Sequence, residues 1–239
     1  MSEWWSYRLS SFLLFSERTY RRLFELYNAE VWPAQLAALA LGAGLVALAV
    51  ARPAWAARAA FAILGACWLW VAAVFLARHY ATINWAAPWL AVAFGVQGAL
   101  LFGAAAGASE VRLRAPRSAR GAIGLGLLLA ALLLHPLLAP LAQRPWQGAE
   151  IFGLAPDPSV AGTLAVLVLV QVGRAGSAGR PTRALALLLW PVPLAAALAS
   201  GLVLGAMGSL QAAWLPLAAL LALGSVIGGD ARGDASALR

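Results

Sequence analysis

Glu150 and Asp157 stand seven positions apart in the run QRPWQGAEIFGLAPDP, Gln143–Pro158, which also carries Arg144, Trp146 and Phe152. Two carboxylates and a guanidinium could do general acid–base work if folding brought them within hydrogen-bond reach of a substrate. They could equally be the polar points of a binding cavity with aromatic walls. Three prolines and two glycines in the run preclude a regular helix. It therefore reads either as a folded loop lining a cavity, with protein or water around its irregular backbone, or as a surface loop with interfacial aromatics. A second stretch, HYATINWAAPW, places His79, Tyr80, Asn84, Trp85 and Trp89 within eleven positions. Histidine is a side-chain type suited to proton transfer, which allows that role for His79, but one histidine makes no metal site. Asn84 has a local reading as a helix cap, and the two tryptophans as interface anchors. His135, followed by Pro136, lies inside a long apolar run. An ionisable residue at such depth is a functional hypothesis by default. Its local reading is a neutral imidazole bonded to a backbone carbonyl freed by Pro136 or Pro140.

The elements that must position these residues follow from composition. The chain is 63% hydrophobic and 11% charged, against about 25% charged in an ordinary soluble domain. Several uncharged runs reach the roughly 20 residues that a helix needs to cross a bilayer. Continuous Ala- and Leu-rich runs exclude membrane strands, which alternate apolar and polar residues. The expected fold is an all-α membrane protein: a bundle of about seven transmembrane helices, six being possible, preceded by an amphipathic interfacial helix. That first helix is read over Ser16–Glu30, with Ser16 as N-cap, a Glu17–Arg21 pair, and a stripe of Tyr20, Leu23, Phe24 and Tyr27. The spans are read at Trp32–Ala51, Ala56–Ala77, Asn84–Ala106, Gly121–Leu141, Pro158–Val172, Ala184–Gly205 and Leu210–Gly228. Asp157 is expected to cap the fifth, with Pro158 at its first position. At fifteen residues the fifth reaches only about 22 Å, short of a hydrocarbon core of about 30 Å. The domains are accordingly 1–31, an amphipathic segment; 32–229, the bundle; and 230–239, a short polar tail.

All 17 basic residues are arginines, and they flank the apolar runs, so the net charge of +8 reads as topology and headgroup contact, not as nucleic-acid binding. Eleven arginines fall on one side and six on the other, which expects an external N-terminus and a cytoplasmic C-terminus for seven spans. Met1–Phe15, with Arg8 and the interrupted patch Leu9–Phe15, has neither the apolar length nor the cleavage site of a secretory signal. Cys67, the single cysteine, excludes an intrachain disulfide and a thiolate-rich zinc site. No phosphate loop, zinc helix, haem site or nucleophile elbow occurs, so no cofactor and no metal is expected. No Asp or Glu lies within the firmly read spans, which weighs against proton- or sodium-coupled transport. Gln97 and Gln171 read as interhelical hydrogen-bonders, and Gly103/Gly107 and Gly201/Gly205 as packing spacings. Trp190-Pro191-Val192-Pro193 should bend or break the sixth span.

Three irregular blocks, FSERTYRRLFELYN…WPAQ at Phe15–Gln35, RHYATINWAAPW, and PLLAPLAQRPWQGAEIFGLAPDPS at Pro136–Ser159, resemble an uncharacterised bacterial family of multi-pass integral membrane proteins. Some of its members are labelled permeases. The resemblance implies a bacterial inner membrane and a multi-span bundle, and transfers no catalytic residue.

Both span counts put the first helix, His79–Trp89 and Gln143–Asp157 at one end of the bundle, with Glu110–Arg120 at the other. The expected function is binding or transport of a small or lipidic solute at that end. Its lining is expected from Tyr27, Asn28, Tyr80, Asn84, Arg144, Trp146, Glu150 and Phe152. The alternatives are an accessory subunit docking a protein partner or a second copy, and an enzyme using Glu150 or Asp157 as base with His79 or Arg144. The enzyme reading is the weaker, and no catalytic residue is assigned. Reporters fused at residues 1 and 239 should report opposite sides of the membrane for seven crossings; reporters on the same side would reduce the count to six.

Overall fold

The structure, a computed structural model, describes residues 15–107, 111–172 and 180–237. Arg8, all but the last residue of the patch Leu9–Phe15, Glu110, Arg174 and the final residues Leu238 and Arg239 lie outside the described residues.

Helix α1, Glu17–Glu30, begins where the sequence sets it. The Ser16 hydroxyl accepts a hydrogen bond from the Thr19 amide at 3.1 Å, and Arg21 Nε donates to Glu17 at 2.9 Å. Its stripe of Leu23, Phe24 and Tyr27 is buried against protein, with Phe24 stacked on Phe75 at 4.9 Å between ring centres. Helix α2 follows at Ala34–Ala51 and α3 at Ala56–Trp70. α3 continues through a π-helical stretch, Val71–His79, and a 3-10 turn, Tyr80–Thr82. Helix α4 is Ala87–Gly107, followed by strand β1, Val111–Leu113. Helix α5, Ala119–Leu129, passes through a second π-helical stretch, Ala130–Leu134, into α6, His135–Leu141. Helix α7 is Pro156–Leu169 and strand β2 Val170–Val172. Helices α8, Arg180–Leu188, α9, Pro191–Ala206, and α10, Trp214–Ala237, complete the described chain. The break expected at Trp190–Pro193 separates α8 from α9.

Six helical stretches among the described residues are long and apolar enough to cross a membrane: 34–51, 56–82, 87–107, 119–141, 184–206 and 211–228. The fifth segment of the sequence reading is different in kind. α7 has 14 residues, and all from Asp157 to Leu169 are buried, surrounded by α3, α5, α9 and α10. A helix apolar on all faces belongs inside a bundle. It ends early because β2 takes over and pairs antiparallel with β1, Leu113 opposite Val170 and Arg112 opposite Gln171. The Arg114 amide donates to the Leu169 carbonyl at 2.8 Å, and Arg120 Nε to the Val168 carbonyl at 3.2 Å. The last helical carbonyls are thereby satisfied inside the protein, as buried polar backbone requires. Helix and strand together extend roughly 31 Å at 1.5 and 3.3 Å per residue. Gln171, expected to bond between helices, instead lies exposed on this strand, because the chain is extended there.

Two other local expectations change. Asp157 does not cap α7: the helix starts two residues earlier than expected, at Pro156 with Ala155 as its cap residue, and the carboxylate reaches across to α9 instead. Among the GxxxG spacings, Gly103 and Gly107 face open space, whereas Gly201 lies against α10's first turns. The tightest crossing of α3 and α4 is at Gly65 and Gly98, where a Cβ on either would sit 3.2 Å from the other's carbonyl oxygen. Gly98→Val should therefore lower the unfolding midpoint of the purified protein, by the 1–3 kcal/mol that overpacking typically costs. Gly103→Val should leave it unchanged, and equal effects would contradict this crossing.

Candidate functional site

Three segments distant in sequence meet at one end of the bundle. Asn28 on α1 donates to the carbonyls of Gln147 and Ala149, at 2.7 and 2.8 Å, fastening α1 to the loop after α6. The Tyr27 hydroxyl donates to the Leu154 carbonyl and accepts from Trp70 Nε1, both at 2.9 Å. His79 Nε2 lies 2.9 Å from Glu30, and this exposed pair holds the Glu30 carboxyl below its usual range, through the hydrogen bond first and the imidazole charge second. Phe15, Tyr20, Phe24, Phe75 and Tyr80 form a continuous aromatic cluster joining α1 to the π-helical end of α3.

The loop Gln143–Ala155 divides into a surface part and a buried part, and none of its residues lines the cavity described below. Its first part is at the surface, with Trp146 59% exposed. From Gly148 it turns inward, and Glu150, Phe152, Gly153 and Leu154 are buried. The inward turn depends on Gly153, which has φ +82° and packs so closely that a Cβ would lie 3.0 Å from Cys67 Sγ. Its amide donates to the Ser159 hydroxyl at 2.9 Å, and Ser159 in turn donates to the Ala155 carbonyl at 2.7 Å. Ser159, not Asp157, thus stabilises the entry to α7.

The inward loop delivers carboxylates to the interior. Glu150 is 5% exposed, His135 3% and Asp157 6%. His135 Nε2 lies 3.5 Å from Glu150 Oε2, within ion-pairing distance but too long for a good hydrogen bond. Among the described residues neither ring nitrogen of His135 has a hydrogen-bond partner, so the imidazole is not tied to a carbonyl freed by proline. The π-helical stretch Ala130–Leu134 immediately before it adds a residue to the turn and aims His135 at the loop; such bulges recur at functional positions. Asp157 accepts a hydrogen bond from Ser200 Oγ on α9 at 2.5 Å. No Asp or Glu falls within the six long apolar helices, as the sequence leads one to expect; Glu150 reaches the interior on a loop and Asp157 on a short helix, neither of which reads as a full span.

Beside this polar wall lies a cavity of about 420 Å³. Aromatic residues Tyr20, Phe75, Tyr80 and Phe94 line one side, and Asp157 and Ser200 provide polar groups on the other. The remaining lining is aliphatic, chiefly alanines, valines and Pro191 of α9. Of the residues expected to line a site, Tyr80 does so directly. Asn84 supports it, accepting from the Ala86 amide at 2.9 Å and hydrogen-bonding Tyr80. Tyr27, Asn28 and Phe152 brace the structure from outside the cavity, Phe152 packing against Gly162 of α7. Arg144 is half-buried, Trp146 is exposed, and Glu150 lies behind the wall facing His135. Tyr20, Phe94 and Ser200 were not anticipated as lining. Tyr20 could have been, since it lies on the apolar stripe of α1; a lone serine in an alanine-rich helix carries no such signal.

The electrostatics of the rim agree with this placement. Burial raises the Tyr20 hydroxyl well above its ordinary range, and the negative charges of Glu150 and Asp157 raise it further, with Arg144 opposing. Burial likewise pushes Tyr27 from 10.0 up to about 12, against the hydrogen bond from Trp70. A phenol raised by folding contributes stability that is complete below pH 10 and is lost as pH rises through about 12. Tyr27→Phe should thus lower stability at neutral pH by about 1–3 kcal/mol, because it strands the Trp70 N–H and the Leu154 carbonyl. It should also blunt the loss of stability between pH 10 and 12; chemical unfolding of both proteins across that window checks the sign.

A family model described as a family of unknown function, DUF6064, matches residues 17–177. The match takes in α1, the aromatic end of α3, the inward loop and α7, and it stops before α8. No curated protein matches the chain, and no solved structure does.

Proposed function

This chain belongs to the DUF6064 family of unknown function, and from that premise we propose that it is an integral membrane protein that binds a small or lipidic solute in the cavity beside Asp157. The observation that carries this reading is the cavity itself: about 420 Å³, largely apolar, with a buried carboxylate and hydroxyl at one wall. Ligand sites have this composition, apolar walls for affinity and a few placed polar groups for orientation. A packing defect would not be expected to hold a buried carboxylate.

The outward surface supports the membrane. Leu36, Leu39, Val96, Leu198, Leu202 and Leu220 are exposed on the long apolar helices, where water would be a poor solvent. Trp85 and Trp89, 72% and 73% exposed at the start of α4, suit the interfacial level of a bilayer. The arginine distribution supports an inner membrane with the C-terminus in the cytoplasm. Transport is the natural extension of the reading: Pro191, one of the two prolines that break the chain between α8 and α9, lines the cavity, and broken helices accompany alternating access in many transporters.

Photolabelling tests the binding site. A diazirine-bearing decanol added to the protein in detergent micelles should label α4 and α9 around Ala93 and Ala199. Ala199→Trp, which fills the cavity, should weaken labelling about tenfold, equivalent to about 1.4 kcal/mol. Labelling spread evenly over the outer helix faces and indifferent to the tryptophan would defeat the proposal.

A further inference from the structure

We infer that the solute is an organic cation with an apolar body, and that it competes with a proton for the Asp157 carboxylate. The inference rests on the cavity reading above and names the chemistry of its ligand. Asp157 is the only charged group among the residues that line the cavity. The groups facing it from the surrounding elements are few. Glu150 from the loop and His135 from α6 act on it from behind, Tyr20 of α1 and Tyr80 of α3 line the same cavity, α9 contributes the neutral Ser200 hydroxyl, and α10 places the Trp214 indole near His135. α4 presents only Leu90, Ala93 and Phe94.

The charges do not balance evenly. His135 stands 3.5 Å from Glu150, and neither lines the cavity. Asp157 has a hydroxyl donor and the first turn of α7, which together favour the anion only partially. A carboxylate so buried is costly unless a proton or a counter-cation neutralises it. A proton is one such occupant. The alternative has to be a cation able to enter an apolar, aromatic space. A bare metal ion is poorly suited, since no group of three His, Cys, Asp or Glu side chains among the described residues could hold one. An ammonium carrying apolar substituents fits on both counts: its charge meets Asp157, and its body meets Phe75, Phe94 and the two tyrosines, whose ring faces attract cations. Anionic solutes meet like charge. Binding then proceeds as an exchange: the cation enters, and the Asp157 proton leaves for solvent. Net charge in the cavity is conserved, and neither ion needs the other's presence.

A matched pair of competitors tests this against the decanol label. Benzyltrimethylammonium and neopentylbenzene share shape and differ by one positive charge. The cation should compete more strongly as pH rises, by up to about tenfold per pH unit while Asp157 is protonated, because one proton is exchanged. Neopentylbenzene should show no pH dependence. Titration calorimetry in buffers of different ionisation enthalpy should detect up to one proton released per cation bound. Asp157→Asn should abolish competition by the cation and preserve that by neopentylbenzene; if this variant does not fold, the wild-type pH profile and proton release still decide. Adding phosphatidylethanolamine to the micelles separates two sources of the same chemistry: competition assigns the ammonium to a lipid headgroup, and none assigns it to a free cation. Equal competition by both compounds at every pH, with no proton released, overturns the inference while leaving the cavity reading intact. Failure of the decanol label itself removes both.

Discussion

The structure depends on one constraint: a helix buried on every side must have each of its backbone and side-chain polar groups satisfied from within the protein. α7 meets this at its far end through β2, whose pairing with β1 and whose neighbours Arg114 and Arg120 take up the last carbonyls. It meets it along its length through Thr163, which donates to the Ser159 carbonyl at 2.8 Å and accepts from Trp68 Nε1 at 2.7 Å. It meets it at its start through Ser159 and Gly153. With α7 fixed in this way, α3, α5, α9 and α10 have a common surface to pack against. The cavity exists because α9 and the π-helical end of α3 stand apart where α7 begins.

This arrangement explains why the irregular segments of the chain gather at one end. α1 has an apolar stripe too narrow to cross a bilayer, and the stripe is buried on the end of α3 and on the loop. The loop in turn has carbonyls at Gln147, Ala149 and Leu154 that α1 satisfies with Asn28 and Tyr27. Each segment therefore completes the other, and the pair closes over the buried His135, Glu150 and Asp157.

Much of this was legible in the sequence because it follows from local rules. Apolar length sets the six long helices, Ser16 sets the start of α1, and Pro191 with Pro193 sets the break before α9. The meeting of α1, His79–Trp89 and Gln143–Asp157 follows from counting crossings. What was not legible depends on long-range geometry. The spacing of prolines and glycines says that Gln143–Pro158 is irregular, but not that its second half turns inward at Gly148. The run Pro158–Val172 looks like a short span, because burial inside protein and burial in lipid select the same residues; only the β1 pairing distinguishes them. Asp157 looks like a cap, because the cap and first-turn positions favour the same side chain. Its true partner, Ser200, is 43 residues away.

The polar wall places its buried titratable side chains in two different positions. An acid–base site would bring two titratable groups together against a reacting centre. Here His135 and Glu150 face each other behind the wall, and neither lines the cavity. Only Asp157 reaches it, held by a hydroxyl that itself does not titrate. The other titratable side chains lining the cavity are the phenols of Tyr20 and Tyr80, so the recognition proposed above rests on Asp157 as the one carboxylate among the lining residues.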